Sequence, residues 1–211
     1  MNYLDLNIDP KELIKLIKKR RSIREYIDKP VPKEILNDIL EAARWAPTGA
    51  NIQPWHFVVV TDESLRKKVG LAGRFLFVGI KHLSKTPVII VLCADMKRSK
   101  RFALFDVTLA GAQMIMTATA YGLGTCWIGI FDEKKIKNLL EIPEEIKIVG
   151  LITLGYFEKD ISPPPKIALE KIVHWQSWKG GIPQGVIDKI TKSGPLSVFK
   201  RFVKALTIKK R

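Results

Sequence analysis

Arg20-Arg21-Ser22-Ile23-Arg24 sets three guanidinium groups and a hydroxyl within five residues, directly after a short amphipathic segment. Farther along comes Ala46-Pro47-Thr48-Gly49-Ala50-Asn51-Ile52-Gln53-Pro54-Trp55. Guanidinium groups make bidentate, charge-assisted bonds to phosphate and keep their charge. In an extended segment, alternation sends Arg20, Ser22 and Arg24 to one side and Arg21 to the other. The plainer alternative is an exposed basic helix end, where cations favour the C-terminal dipole. In the second stretch Thr48, Asn51 and Gln53 are donors and acceptors, and Gly49 lets backbone approach a ligand closely. Such groups suit the polar edge of a heterocycle; a turn capping the preceding helix is the alternative. Together the two stretches point to a nucleotide-like cofactor, held by its phosphate at one end and its ring at the other.

Around these stretches, helices and strands alternate. Lys11–Lys19 reads as a helix with Leu13, Ile14 and Ile17 on one face. Pro32 opens a second helix, whose apolar positions Ile35, Leu36, Ile39, Leu40 and Ala43 keep the helical period, and Pro47 and Gly49 stop it. Trp55–Thr61 is dense in β-branched and aromatic residues and reads as a strand. Asp62 caps a helix through Leu71, and Phe75–Leu83 is expected to be helical. Pro87–Ala94 and Ile146–Gly155 read as buried strands, and Asp132 caps a short helix through Leu140. Phe105–Tyr121 is apolar nearly all round, so it is expected to be central and covered on most sides. This is an α+β arrangement around one sheet.

A chain of 211 residues with 46% hydrophobic and 27% charged residues makes one good-sized core. The N-terminus has no apolar signal region, and no unbroken apolar run approaches the length of a membrane span. Cys93 and Cys126 are far apart, with no CxxC or Cys/His cluster, which argues against zinc and iron–sulfur sites. They read as buried thiols in a reducing cytoplasm. His56, His82 and His174 are scattered and read as structural. The net charge is +15. Residues 161–211 hold eleven Lys/Arg against Glu170 and Asp188, or +9 of that total. Such a tail could meet anionic lipid, nucleic acid or an acidic partner, or be a solvated face.

Gly122-Leu123-Gly124-Thr125-Cys126-Trp127-Ile128-Gly129 fails as a dinucleotide fingerprint. Its glycines follow a helix, and Trp127 stands where a third glycine belongs. It reads better as a glycine stop followed by an extended segment lying against a ligand. Ser162-Pro163-Pro164-Pro165 ends the compact part. Lys166 follows on a stiff segment and could close a phosphate site. Beyond Trp175 the chain reads as an extension, with a basic amphipathic helix from Leu196 to Leu206.

These motifs run in the order seen in the FMN-dependent nitroreductase family, which the chain resembles over roughly residues 11–175. That family also holds flavin reductases and iodotyrosine-type dehalogenases. The resemblance implies a nitroreductase-like fold, with a mainly antiparallel sheet flanked by helices in a domain-swapped homodimer. Residues 1–175 would form the FMN-binding domain, and 176–211 a basic extension wrapping the partner. Arg20, Arg21, Ser22 and Arg24 match the segment that holds the FMN phosphate, ribityl chain and ring edge. Pro47, Thr48, Gly49 and Asn51 match the loop that reaches the flavin of the other subunit. Trp127, Ile128 and Gly129 match the backbone beside the flavin, where an N–H faces N5. Lys166 matches the cation on the phosphate. Lys81 matches a lysine near the pyrimidine edge, although Val78 stands where those members carry an asparagine.

The implied activity is a ping-pong oxidoreductase. NADH or NADPH reduces FMN, and a small acceptor of nitroaromatic, quinone or flavin type reoxidises it. No protein nucleophile or acid–base triad is expected; Arg24 and Lys81 would stabilise the reduced ring. The stretch from Asp95 to Asp106 leaves almost no room for a lid, which implies an open pocket. Thr48-Gly49-Ala50 resembles the dehalogenase loop, so reductive dehalogenation is one alternative. A basic membrane- or nucleic-acid-associated binding protein using Phe199–Arg211 is the other, although no recognised nucleic-acid motif is present.

Overall fold

In a computed structural model of the chain, described over residues 9–72, 74–75, 78–79, 85–175 and 177–178, a four-stranded antiparallel sheet carries the core. The chain divides into two units, Met1–Pro163 and Pro164–Arg211. Lys81, His82 and the expected helix Leu196–Leu206 lie outside the described residues.

In the first unit the helices are α1 (Pro10–Lys19), α2 (Lys33–Arg44), α3 (Glu63–Ala72), α4 (Ala103–Ala120) and α5 (Glu133–Leu140). The strands are β1 (Trp55–Val60), β2 (Arg74–Phe75), β3 (Val78–Gly79), β4 (Val88–Asp95), β5 (Gly124–Ile128) and β6 (Ile146–Gly155). Their local signals are visible. Pro10 opens α1, with the Asp9 side chain accepting from the Lys11 N–H. Asp62 Oδ1 accepts from the Leu65 N–H at 2.8 Å, and Asp132 caps α5 in the same way from Lys135. The segment expected to be helical from Phe75 differs. Phe75 and Val78 face each other across the short β2–β3 pair. An aromatic, a β-branched residue and Gly79 in quick succession favour extended backbone over helix.

The sheet order is β1-β4-β6-β5, so β1 and β5 are edges. Strands β4 and β6 are central and buried on both faces, hence their near-continuous Val/Ile/Leu runs. One face packs on α2 and α4 through Leu36, Ile39, Val107, Ala110 and Met114. The other packs on α3 and α5 through Val69, Ala72 and Ile136.

Helix α4 has the length and mean hydropathy, 1.2, of a membrane span, a feature that a search for unbroken apolar runs misses because Asp106 and several small polar residues interrupt it. In this fold it is the central layer, packed against α2, β4, β5 and β6. Its cover is incomplete: Leu104, Phe105 and Leu109 are exposed at 42%, 68% and 44%. The apolar face of α1, with Leu13, Ile14 and Ile17, is also half exposed.

Candidate functional site

The arginine segment and the glycine segment, a hundred residues apart in sequence, lie side by side. The Ile23 N–H donates to the Thr125 carbonyl at 2.8 Å, and Ser22 bridges Thr125 in parallel on the free edge of β5. Close approach is possible because residue 124 is glycine: a Cβ there would come within 2.6 Å of the Ile23 side chain. Ile23 itself is buried. Tyr26 fastens the segment from the other side, its hydroxyl donating to the Ile23 carbonyl at 2.8 Å and lying 2.7 Å from Thr153 Oγ1. Burial pushes the Tyr26 phenol well above its ordinary range, which keeps it a neutral strut.

The three arginines divide their work. Arg21 is tied inward: Nε donates to the Ile161 carbonyl at 2.8 Å, and Nη1 donates to the Lys18 and Arg20 carbonyls. Only its Nη2 remains for a ligand. Arg24 makes one long bond, 3.3 Å, to the Ser22 carbonyl. The Arg20 guanidinium has no hydrogen-bond or ion-pair partner among the described residues. Arg20 and Arg24 both act on the buried Cys126 thiol, favouring its ionised form, while burial, the larger effect, raises its pKa. Both guanidinium groups therefore lie within electrostatic range of β5.

Strand β5 presents its backbone on the same edge. Thr125 points its carbonyl outward to Ile23, and outward groups recur every second residue. The Trp127 backbone therefore faces the open edge, and the chain leaves the strand at the exposed Gly129. Cys126 and Ile128 turn their backbone toward β6, and the Ile128 side chain is buried. The Trp127 indole goes inward. It fills a slot made by Gly111 of α4 and Gly150 of β6, where an added Cβ would come within 2.6 and 2.7 Å of the ring.

The Pro47–Asn51 loop is held elsewhere, at the N-terminal end of α4. Thr48 donates its hydroxyl to Asp106 Oδ2 at 2.8 Å and accepts from the Gln53 N–H at 3.0 Å. The Gly49 N–H donates to the same Asp106 oxygen at 3.2 Å. Gln53 Nε2 donates to the Asn51 side-chain oxygen at 3.0 Å. Ala50, Asn51 and Gln53 all have left-handed backbone, with φ of 50°, 56° and 53°. Each costs of order 1 kcal/mol or more, so the network must hold them. Asp106 is 5% exposed and was not singled out by sequence reading. The available signal is that it is the only acid in an apolar helix. Leu123, next to the arginine side of β5, bonds to Ala118 of α4. Asp106 and Ala118 stand about 18 Å apart along the helix. Within one chain the loop and the arginines therefore sit at different ends of α4.

Lys166 belongs to the second unit, where it is exposed. That unit also carries the turn Leu169–Lys171 and His174 against Trp178, with ring centroids 4.1 Å apart. An open groove of about 510 Å³ lies away from the arginines, between α2 and edge strand β1, lined by Leu40, Glu41, Arg44, Trp55 and Phe57 among others. No group of three metal-ligating side chains occurs among the described residues.

The sequence profile of the Nitroreductase family matches residues 17–74 and 80–156, which spans both walls described above. The chain belongs to the nitroreductase family. Among nitroreductase-family relatives, an Archaeoglobus fulgidus protein with the provisional name NADH dehydrogenase/NAD(P)H nitroreductase is 35% identical over 176 residues, covering 79% of this chain and 99% of its own. The FMN reductase [NAD(P)H] of Bacillus subtilis is 31% identical, over 79% of this chain and 74% of its own. The solved structure of an FMN-dependent nitroreductase from Clostridium difficile superposes with a TM-score of 0.69 at 32% identity, covering 78% of this chain and 99% of that one.

Proposed function

We propose that this nitroreductase-family protein is an NAD(P)H-dependent FMN oxidoreductase that reduces a small organic acceptor. The single observation that carries the reading is the Ile23–Thr125 hydrogen bond, which aligns the Arg20–Arg24 segment with an outward backbone edge. The residues fit FMN. Arg20 is a cation without a partner among the described residues, and the Trp127 N–H and Gly129 are available on a ligand-facing edge. Arg20, Ser22, Arg24 and the free Nη2 of Arg21 would hold the phosphate, ribityl chain and ring edge. The Trp127–Gly129 backbone would lie beside the ring. The Ile128 backbone is already paired, so its share passes to its neighbours. When bound, FMN supplies hydride acceptance from NADH or NADPH and electron release to a second substrate, in two half-reactions of a ping-pong cycle.

The chain's own residues bind and orient. With FMN bound, Arg24 would supply positive charge toward the ring edge, favouring the anionic reduced form. No protein acid or base is required at the described site. Burial raises the Cys126 thiol, which disfavours its thiolate form.

The reading includes a homodimer. Within one chain the Pro47–Asn51 loop sits at the far end of α4 from the arginines, so a second subunit would bring its loop to this subunit's ring. The exposed Leu104, Phe105 and Leu109, with Leu13, Ile14 and Ile17, form the apolar surface such a partner would cover.

The test is an absorbance spectrum of the purified protein together with its mass in solution. A flavin spectrum in a dimer is expected, and NAD(P)H should bleach it. A colourless protein that refuses added FMN would overturn the reading.

A further inference from the structure

The turn between β4 and α4, Lys97-Arg98-Ser99-Lys100-Arg101, carries four cations in five residues, and the structure joins it to the Pro47–Asn51 loop. Arg98 Nη1 donates to the Gln53 carbonyl at 3.1 Å. The Phe102 ring lies under Gly49, where a Cβ would meet it at 3.0 Å. The Arg101 guanidinium stands over that ring, 5.3 Å from its centroid. A guanidinium above an aromatic face is held by its quadrupole without losing its charge or its outer donors. Of the four cations, Lys97 is neutralised by Glu145 at 3.1 Å. Lys100 and Arg101 are exposed and have no acidic partner among the described residues. The nearest acids are engaged elsewhere: Asp95 Oδ1 accepts from the Lys97 and Arg98 N–H groups, and buried Asp106 holds the loop.

We propose that Arg101, assisted by Lys100, is an anion-recognition element that makes the substrate face of the flavin selective for small molecules bearing a carboxylate or phosphate. This rests on the reading above, which places the 47–53 loop at the ring. The argument is one of placement. The short Lys97–Arg101 turn carries no lid among the described residues, so a fixed charge at the rim supplies discrimination that packing by this turn does not. Lys100 and Arg101 together raise the local concentration of an anion, and Arg101 alone has the stacked, forked geometry to bind one bidentately. Two substrates could carry the anion: the acceptor, or the reductant through the extra phosphate of NADPH.

The test compares Arg101→Glu, Lys100→Glu, Arg101→Lys and, as a remote-charge control, Lys68→Glu at an exposed position of α3. One arm measures the ratio of kcat/KM for para-nitrobenzoate over para-nitrobenzyl alcohol. A second measures NADPH over NADH. A third, independent of turnover, titrates the isolated protein with benzoate and with benzyl alcohol by ligand-observed NMR. Arg101→Glu should lower one kinetic ratio and the benzoate preference by about tenfold, with Lys100→Glu smaller and Arg101→Lys between. A fall in the first ratio assigns the anion to the acceptor, and a fall in the second to NADPH. Ratios and benzoate preference equal to wild type in Arg101→Glu, or an equal fall in Lys68→Glu, overturn the proposal. Absence of flavin or of any reductase activity in the wild type would instead overturn the functional reading, and the benzoate titration still decides the cation pair.

Discussion

Thr48 donates its hydroxyl to Asp106 Oδ2 at 2.8 Å, so one buried carboxylate at the start of α4 fixes a loop from the other side of the sequence. The Gly49 N–H joins the same oxygen, and three left-handed residues depend on the arrangement. Asp106→Ala strands both donors and should destabilise the protein by about 1–3 kcal/mol in urea unfolding. Asp106→Asn keeps one acceptor oxygen and should lose less. Equal losses would show that the negative charge, not the acceptor geometry, holds the loop.

Trp127 occupies space that exists only because residues 111 and 150 lack side chains. Gly150→Ala should destabilise by about 1–3 kcal/mol through overpacking. A smaller residue at 127, as in Trp127→Leu, should relieve most of that cost. A double-mutant cycle showing additive losses would mean that the contact does not couple the two positions.

Arg20 and Arg21 should behave differently although they are adjacent. Arg20→Ala should weaken FMN binding to the apoprotein by about 1.5–3 kcal/mol, the value of a charged hydrogen bond, with little change in urea midpoint. Arg21→Ala removes bonds to three carbonyls and should lower the midpoint as well. Fluorescence titration of FMN with each variant measures the first effect. An unchanged affinity in Arg20→Ala would remove that side chain from the site.

The protein should lose stability at alkaline pH as a buried phenol and a buried thiol are forced to ionise. Burial raises the Tyr26 phenol and pushes the Cys93 thiol up to about 11. Both groups stay protonated in the folded chain at pH values where the unfolded chain has lost those protons. Stability is therefore full below the ordinary thiol and phenol values and falls as pH rises past them. The decline should begin near pH 9 for Cys93 and near 10 for Tyr26. Cys93→Ala should flatten the first part of the profile, and both thiols should resist thiol reagents until the protein unfolds.

Much of the fold is legible in sequence where local physics and tertiary demand agree. The apolar periodicity of α2, the caps Asp62 and Asp132, and the β-branched runs of β4 and β6 each predict the element observed. The helix expected over Phe75–Leu83 fails at Phe75 and Val78, which pair as strands, because a short segment carries too little period to separate helix from extended backbone. The arginines and the glycine segment are legible as clusters of suitable chemistry. Asp106 is not, since a lone acid in an apolar helix has no meaning until the loop it serves is placed against it.

The linear order of residues determines the chemistry on offer: cations for a phosphate, a polar loop for a ring edge, and a helix too apolar to stand uncovered. It also determines where the local elements begin and end, because caps, prolines and hydrophobic period act over a few residues. Only the tertiary structure decides how the three arginines divide. Arg21 is spent on the carbonyls of Lys18, Arg20 and Ile161, while Arg20 keeps its charge without a partner among the described residues. It alone sets Arg20–Arg24 along β5 and moves the Thr48 loop to the opposite end of α4. The reason is physical. Hydrogen-bond satisfaction of buried groups and close approach at Gly124, Gly111 and Gly150 are properties of segments far apart in sequence, and no local pattern encodes which of them will meet.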